Sequence, residues 1–223
     1  MAFLLAHYAT ARRQPAPERG IRCPEALVIL LAQNGLVHRC TVTDGNCGLD
    51  SFGQGLRDVA KVDRSLANTH KYKAFAHNAK TTAGMVAHLR QVAHDWMRKN
   101  RDQEMWDGMS FGQLALAMNK HGRARSYAEY LAAVARDGYW IDGAVIHALC
   151  CHFGVDALVF QAGQEQMIVG PSLVETAATS STSMLLMCLV NDVHFWAVTA
   201  APMDKPQTPP DNGDLERISQ HID

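Results

Sequence analysis

The chain has 223 residues, 48% of them hydrophobic and 19% charged, with a formal net charge of −1. That length and composition suit one globular domain with a sizeable core. A nearly balanced charge excludes a nucleic-acid binder that works by broad phosphate neutralisation, and the apolar run Ala26–Ala32 is far too short to span a bilayer.

Residues 1–22 carry Gln14-Pro15-Ala16-Pro17 and scattered arginines, so an irregular N-terminal segment is expected. Pro24 to Asn34 reads as a short helix that Gly35 stops. Leu36 to Val42 alternates and branches like a strand, and a helix with Leu49, Phe52 and Leu56 on one face follows to about Ala60. Lys61 to Gly84 is polar and histidine-bearing, and reads as a partly ordered insertion. Met85 to Met105 places Val86, Leu89, Val92 and Trp96 at helical spacing opposite a charged face. Ser110 caps a helix over Phe111–Asn119, and Ser126-Tyr127-Ala128-Glu129 forms a capping box for a helix ending near Asp137-Gly138. Gly143 to Phe153 is a helix closed by Gly154, followed by the strand Val155–Phe160 and a short strand around Met167–Val169. Ser183–Val190 and Phe195–Ala200 read as two strands about the turn Asn191-Asp192-Val193. Beyond residue 200 the chain is rich in proline and polar residues and expected to be disordered. Residues 23–200 thus form a single α/β domain of the α+β type, a small mixed β-sheet packed between helices.

The chemistry concentrates at Asp44-Gly45-Asn46-Cys47, a tight polar turn that delivers a thiol to the start of an apolar helix. There, free backbone N–H groups and the helix dipole favour an anion. The same geometry is expected to lower a thiol pKa and to supply oxyanion donors from Asp44, Gly45, Asn46 and Cys47. A thiolate needs a base, and His194, entering the last strand, is held where it can face that helix terminus.

The order of three blocks resembles the ovarian-tumour (OTU) cysteine proteases, most of which are deubiquitinases. They are the nucleophile turn Asp44–Cys47, the segment Tyr127–Phe160 with Tyr139-Trp140-Ile141-Asp142, and His194 with the aromatic Phe195 in a terminal hairpin. Together they span residues 36 to 200. The resemblance implies a papain-like architecture, Cys47 as nucleophile, His194 as base, and Asp44 in the loop supporting the oxyanion hole. It also implies ubiquitin or a ubiquitin-like modifier as partner, and a substrate channel near Trp140, Phe195 and Trp196. Two departures mark a divergent member, of the kind found in viruses or intracellular bacteria. Gly48, Leu49 and Asp50 stand where the family carries a bulky residue and an arginine, and Trp196 stands where an Asn or Asp orients the histidine. The orienting group is then Asp192, Asn191 or a residue upstream of the nucleophile.

Six cysteines, Cys23, Cys40, Cys47, Cys150, Cys151 and Cys188, show no disulfide-scaffold spacing, which fits a reducing, cytoplasmic setting (a host cytoplasm for a virus or intracellular bacterium). His147 and Cys151 have the i,i+4 spacing of a metal pair, but no second ligand pair accompanies them, so no metal and no cofactor are expected. Two other readings stay open: a protease that processes a polyprotein, and an OTU-like module that binds ubiquitin without cutting.

Overall fold

The computed structural model describes residues 23–106, 108–119, 124–171, 183–190 and 194–201. The N-terminal segment 1–22, the tail beyond Ala201, residues 120–123, and the Ser/Thr-rich stretch before Ser183 lie outside the described residues, as do Asn191 and Asp192.

Helix α1 (Glu25–Gln33) starts after Pro24, and Gly35 turns the chain with φ +66° into strand β1 (Leu36–Arg39). The strand is shorter than its sequence pattern, because the chain leaves the sheet at Cys40 to build the loop before helix α2 (Cys47–Val62). The polar stretch that follows is helical throughout much of its length. It forms α3 (Arg64–Asn68) and α4 (His70–Asn78), and then α5 (Thr82–Lys99). Asp63, Thr69 and Thr81 each place a side-chain oxygen on a first-turn N–H of these helices, while Leu66 and Phe75 anchor the segment in the core. Sparse apolar residues at the right spacing are enough once caps define every start.

A short ribbon, β2 (Glu104–Trp106) and β3 (Met109–Ser110), leads into α6 (Phe111–Met118), whose start is a full capping box of Ser110 and Gln113. Helix α7 (Tyr127–Val134) is capped by Ser126, but the Glu129 carboxylate accepts from the Arg125 N–H rather than returning to Ser126. Asp142 caps α8 (Gly143–Phe153), and Gly154 closes it in the left-handed conformation at φ 70°. The remaining strands are β4 (Val155–Gln161), β5 (Met167–Val169), β6 (Ser183–Val190) and β7 (His194–Ala200).

The sheet order is β1-β7-β6-β4-β5, with β4 and β6 parallel and every other pair antiparallel. On one face α2, α5 and α8 bury Phe52, Leu56, Leu89, Val145 and Leu149 against Val155, Val159, Leu185 and Met187. On the other face α1 lays Leu27 and Leu31 over Phe160, Cys188, Val190, Trp196 and Val198. The mixed sheet is therefore packed between helices, as the α+β reading requires. Its central hairpin, β6–β7, sets His194 opposite Val190 at one end of the sheet, where α2 begins.

Candidate active site

The loop from Thr41 to Asn46 is held by carboxylates at both ends. Asp44 Oδ1 accepts the Asn46 N–H at 3.0 Å, and the Asp44 carbonyl accepts the Cys47 N–H at 3.3 Å. Asp50, buried one turn into α2, reaches back so that Oδ2 accepts the Val42 N–H at 3.0 Å. Sequence reading noted Asp50 only as a departure; its spacing from Val42 is a contact that no local pattern announces.

Two glycines are dictated by contact. A side chain at Gly45 would run into the Gly138 carbonyl and reach 2.6 Å from the Trp140 ring. One at Gly48 would lie 2.5 Å from Ile141 Cγ1 and 3.1 Å from Phe195 Cδ2. Ile141 and Phe195 thus fill the space that a bulky residue after the nucleophile would need. Trp140 is half-buried against the nucleophile turn, and Trp196 is buried in the core beneath α1.

His194 is buried at 2% exposure, and the next amide, Phe195 N–H, donates to Cys47 Sγ at 3.5 Å. The nucleophile and base candidates, 147 residues apart in sequence, are therefore brought to the same end of the sheet through Phe195. Upstream of the nucleophile, Thr41 reaches the histidine. Its Oγ1 lies 3.2 Å from His194 Nε2 and 2.5 Å from the Phe195 carbonyl oxygen. A hydroxyl has one proton, which the carbonyl takes; Nε2 must then carry a hydrogen and donate to Oγ1. That leaves Nδ1 as the basic nitrogen. Trp196 adds a ring contact to His194 at 5.8 Å and 83°, and is itself stacked on His38 at 4.7 Å.

The electrostatics differ from the expectation of a low thiol pKa. Burial, at 4% exposure, pushes the Cys47 thiol up to about 11, although the amides of Phe195, Gly48 and Cys47 itself pull it down and Asp44 adds to the rise. Burial also lowers the His194 imidazole. Desolvation outweighs the helix terminus here, so the resting pair is thiol and neutral imidazole.

The expected oxyanion donors are the amides of Asp44, Gly45, Asn46 and Cys47. The Asn46 N–H is taken by Asp44, and Gly48, absent from the expected set, presents its amide to the sulfur. Asn46 acts through its side chain. Oδ1 accepts from Arg90 Nη2 at 2.5 Å and from the Gly138 N–H at 3.3 Å, and Nδ2 donates to Asp137 at 3.1 Å. Arg90, a charged residue of α5, is only 5% exposed.

His147 Nε2 lies 3.2 Å from Cys151 Sγ, with the imidazole stacked on Phe111 and edge-on to Trp96. Among the described residues no group of three or more His, Cys, Asp or Glu is placed to hold a metal ion, and no helix is long and apolar enough to cross a membrane.

No protein-family model and no curated protein sequence matches the chain. Among solved structures, the OTU domain of OTUD1 matches with a TM-score of 0.51 at 16% identity, over 78% of this chain and 93% of that one. The chain has the OTU fold. An OTU deubiquitinase from Wolbachia pipientis wMel, solved bound to ubiquitin, matches at TM-score 0.46 and 14% identity, over 75% of this chain and 98% of that one. The viral OTU domain protease from Taggert virus matches at TM-score 0.48 and 8% identity, over 78% and 85% of the two chains. Within this OTU fold, Cys47 and His194 lie where α2 meets the β6–β7 hairpin, the junction described above.

Proposed function

We propose that the chain is a thiol isopeptidase that releases ubiquitin or a ubiquitin-like modifier from lysine. The observation that carries this reading is the approach of the Phe195 N–H to Cys47 Sγ, which brings the adjacent His194, held by Thr41, to the start of α2. The OTU fold and the order of the sequence blocks support the choice of ubiquitin.

In the first half-reaction His194 Nδ1 takes the Cys47 proton as the sulfur attacks the carbonyl carbon of the modifier's terminal glycine. The electron pair of the C=O moves to oxygen, and the amides at the start of α2 receive that anion. Collapse breaks the C–N bond, and the His194 imidazolium gives its proton to the departing lysine amine. In the second half-reaction the same imidazole takes a proton from water, which attacks the thioester. The modifier leaves as a carboxylic acid, ionised at neutral pH, and the thiol is restored. Because the resting pair is neutral, proton transfer accompanies attack rather than preceding it.

Ubiquitin carrying a C-terminal electrophile tests the reading, beside Cys47→Ala and His194→Ala variants. An adduct with the wild type, absent in Cys47→Ala and slowed in His194→Ala, is expected. The burial of both Cys47 and His194 favours one other reading, ubiquitin binding without hydrolysis. In that case the wild type binds ubiquitin, forms no adduct, and binds equally well as Cys47→Ala.

A further inference from the structure

Asn46 stands at the N-cap of α2, where an asparagine side-chain oxygen ordinarily accepts a first-turn N–H. Here it makes no such bond. Its Oδ1 is held by Arg90 Nη2 at 2.5 Å and by the Gly138 N–H at 3.3 Å. Among the described residues the N–H groups of Gly48 and Leu49 have no oxygen acceptor, and the Gly48 amide faces the Cys47 sulfur.

The residue responsible is expensive to keep. Arg90 reaches from α5 to donate also to the carbonyls of Val134 at 2.8 Å and Tyr139 at 3.1 Å. It is 5% exposed, and its Nε has no hydrogen-bond partner. The Asp137 and Asp44 carboxylates nearby favour the charge, but none lies within ion-pair distance among the described residues, so the guanidinium is only partly compensated for loss of water.

We propose that Arg90 is a positioning residue for the thiol reaction: by holding Asn46 Oδ1, it keeps the Gly48 and Leu49 amides uncapped at the Cys47 end of α2. Those donors then serve the sulfur as it becomes anionic and the oxygen when the carbonyl is attacked. Without Arg90, Asn46 keeps only the longer Gly138 and Asp137 bonds, and a turn of its backbone from φ −99°, ψ 0 toward the extended region lets it cap the helix, steadying α2 while withdrawing the donors. The inference rests on Cys47 being the nucleophile, and does not depend on which modifier is cut.

The test compares the full chain with Arg90→Met, Asn46→Ser and the double variant Arg90→Met/Asn46→Gly. Serine is a strong N-cap but too short to reach Arg90, and glycine removes the competing oxygen at little cost to the helix. Iodoacetamide alkylation at pH 8, located at Cys47 by peptide mass mapping, is expected to slow about threefold in both single variants. The thermal midpoint of Asn46→Ser should hold or rise, and the double variant should regain most of the wild-type rate. With a fluorogenic ubiquitin C-terminal amide, kcat should fall about tenfold or more in the single variants while KM stays within about twofold. Wild-type alkylation rates in the single variants overturn the proposal, as does a double variant no faster than Arg90→Met, which would make the arginine merely structural. If Arg90→Met does not fold, Asn46→Ser decides alone. If the alkylation pattern holds but the wild type leaves ubiquitin substrates intact, the ubiquitin reading fails and the role of Arg90 stands.

Discussion

Thr41 Oγ1 lies within hydrogen-bond reach of His194 Nε2, a contact that Trp196 cannot offer as an acceptor, and the Phe195 carbonyl fixes the hydroxyl. Thr41→Val keeps the shape and removes the acceptor. It is expected to lower kcat about tenfold to hundredfold with KM little changed, and Thr41→Ser should retain most activity. Steady-state kinetics on the fluorogenic ubiquitin amide would check both. The protonation state of Cys47 gives a second prediction at this scale. With the thiol pushed up to about 11, the thiolate fraction at neutral pH is small and grows about tenfold per pH unit toward that value. Alkylation of Cys47 by iodoacetamide should therefore climb steadily from pH 7 to 10. A rate already at its plateau near pH 6 would show a preformed thiolate–imidazolium pair instead.

At the scale of elements, the nucleophile turn depends on how closely the Asp137–Ile141 segment approaches α2. Gly45 is packed under the Gly138 carbonyl and Trp140, so Gly45→Ala must push the two segments apart. A loss of about 1–3 kcal/mol in stability is expected, together with loss of the electrophile adduct. Urea unfolding and intact-mass measurement check the two effects separately. Gly48→Ala should behave likewise but more mildly, because Ile141 Cδ1, at 2.7 Å, is the end of a flexible side chain. The motif Asp-Gly-Asn-Cys was visible at once, whereas its partner surface was not. Gly138, Trp140 and Arg90 come from sequence positions 44 to 95 residues away, and no period or cap links them to the turn.

For the whole molecule, acid stability follows from buried imidazoles. Burial holds the His147 imidazole down at about 4, and His152 likewise, with His88 and His194 shifted in the same direction. A lowered folded-state value means that the unfolded chain binds protons first, so stability falls as pH drops below about 6.5. His147, at 7% exposure, would alone remove roughly 2 kcal/mol between pH 7 and pH 5. Buried Asp142 acts oppositely, since burial raises its carboxyl and the folded state then gains from protonation. Urea midpoints at pH 7 and pH 5 should therefore differ, and His147→Gln should shrink the difference.

The amino-acid sequence by itself determined most helices and strands, with their caps and stops. Those features are encoded by neighbours, through apolar period, glycine, proline and capping oxygens. It misjudged Lys61–Gly84 because few apolar residues mark that run, and the three caps decide its helices. Only the tertiary structure decided that Arg90 is buried, that Thr41 meets His194, and that the thiol is raised rather than lowered. Each depends on distance and desolvation between segments remote in the chain, and local patterns carry neither.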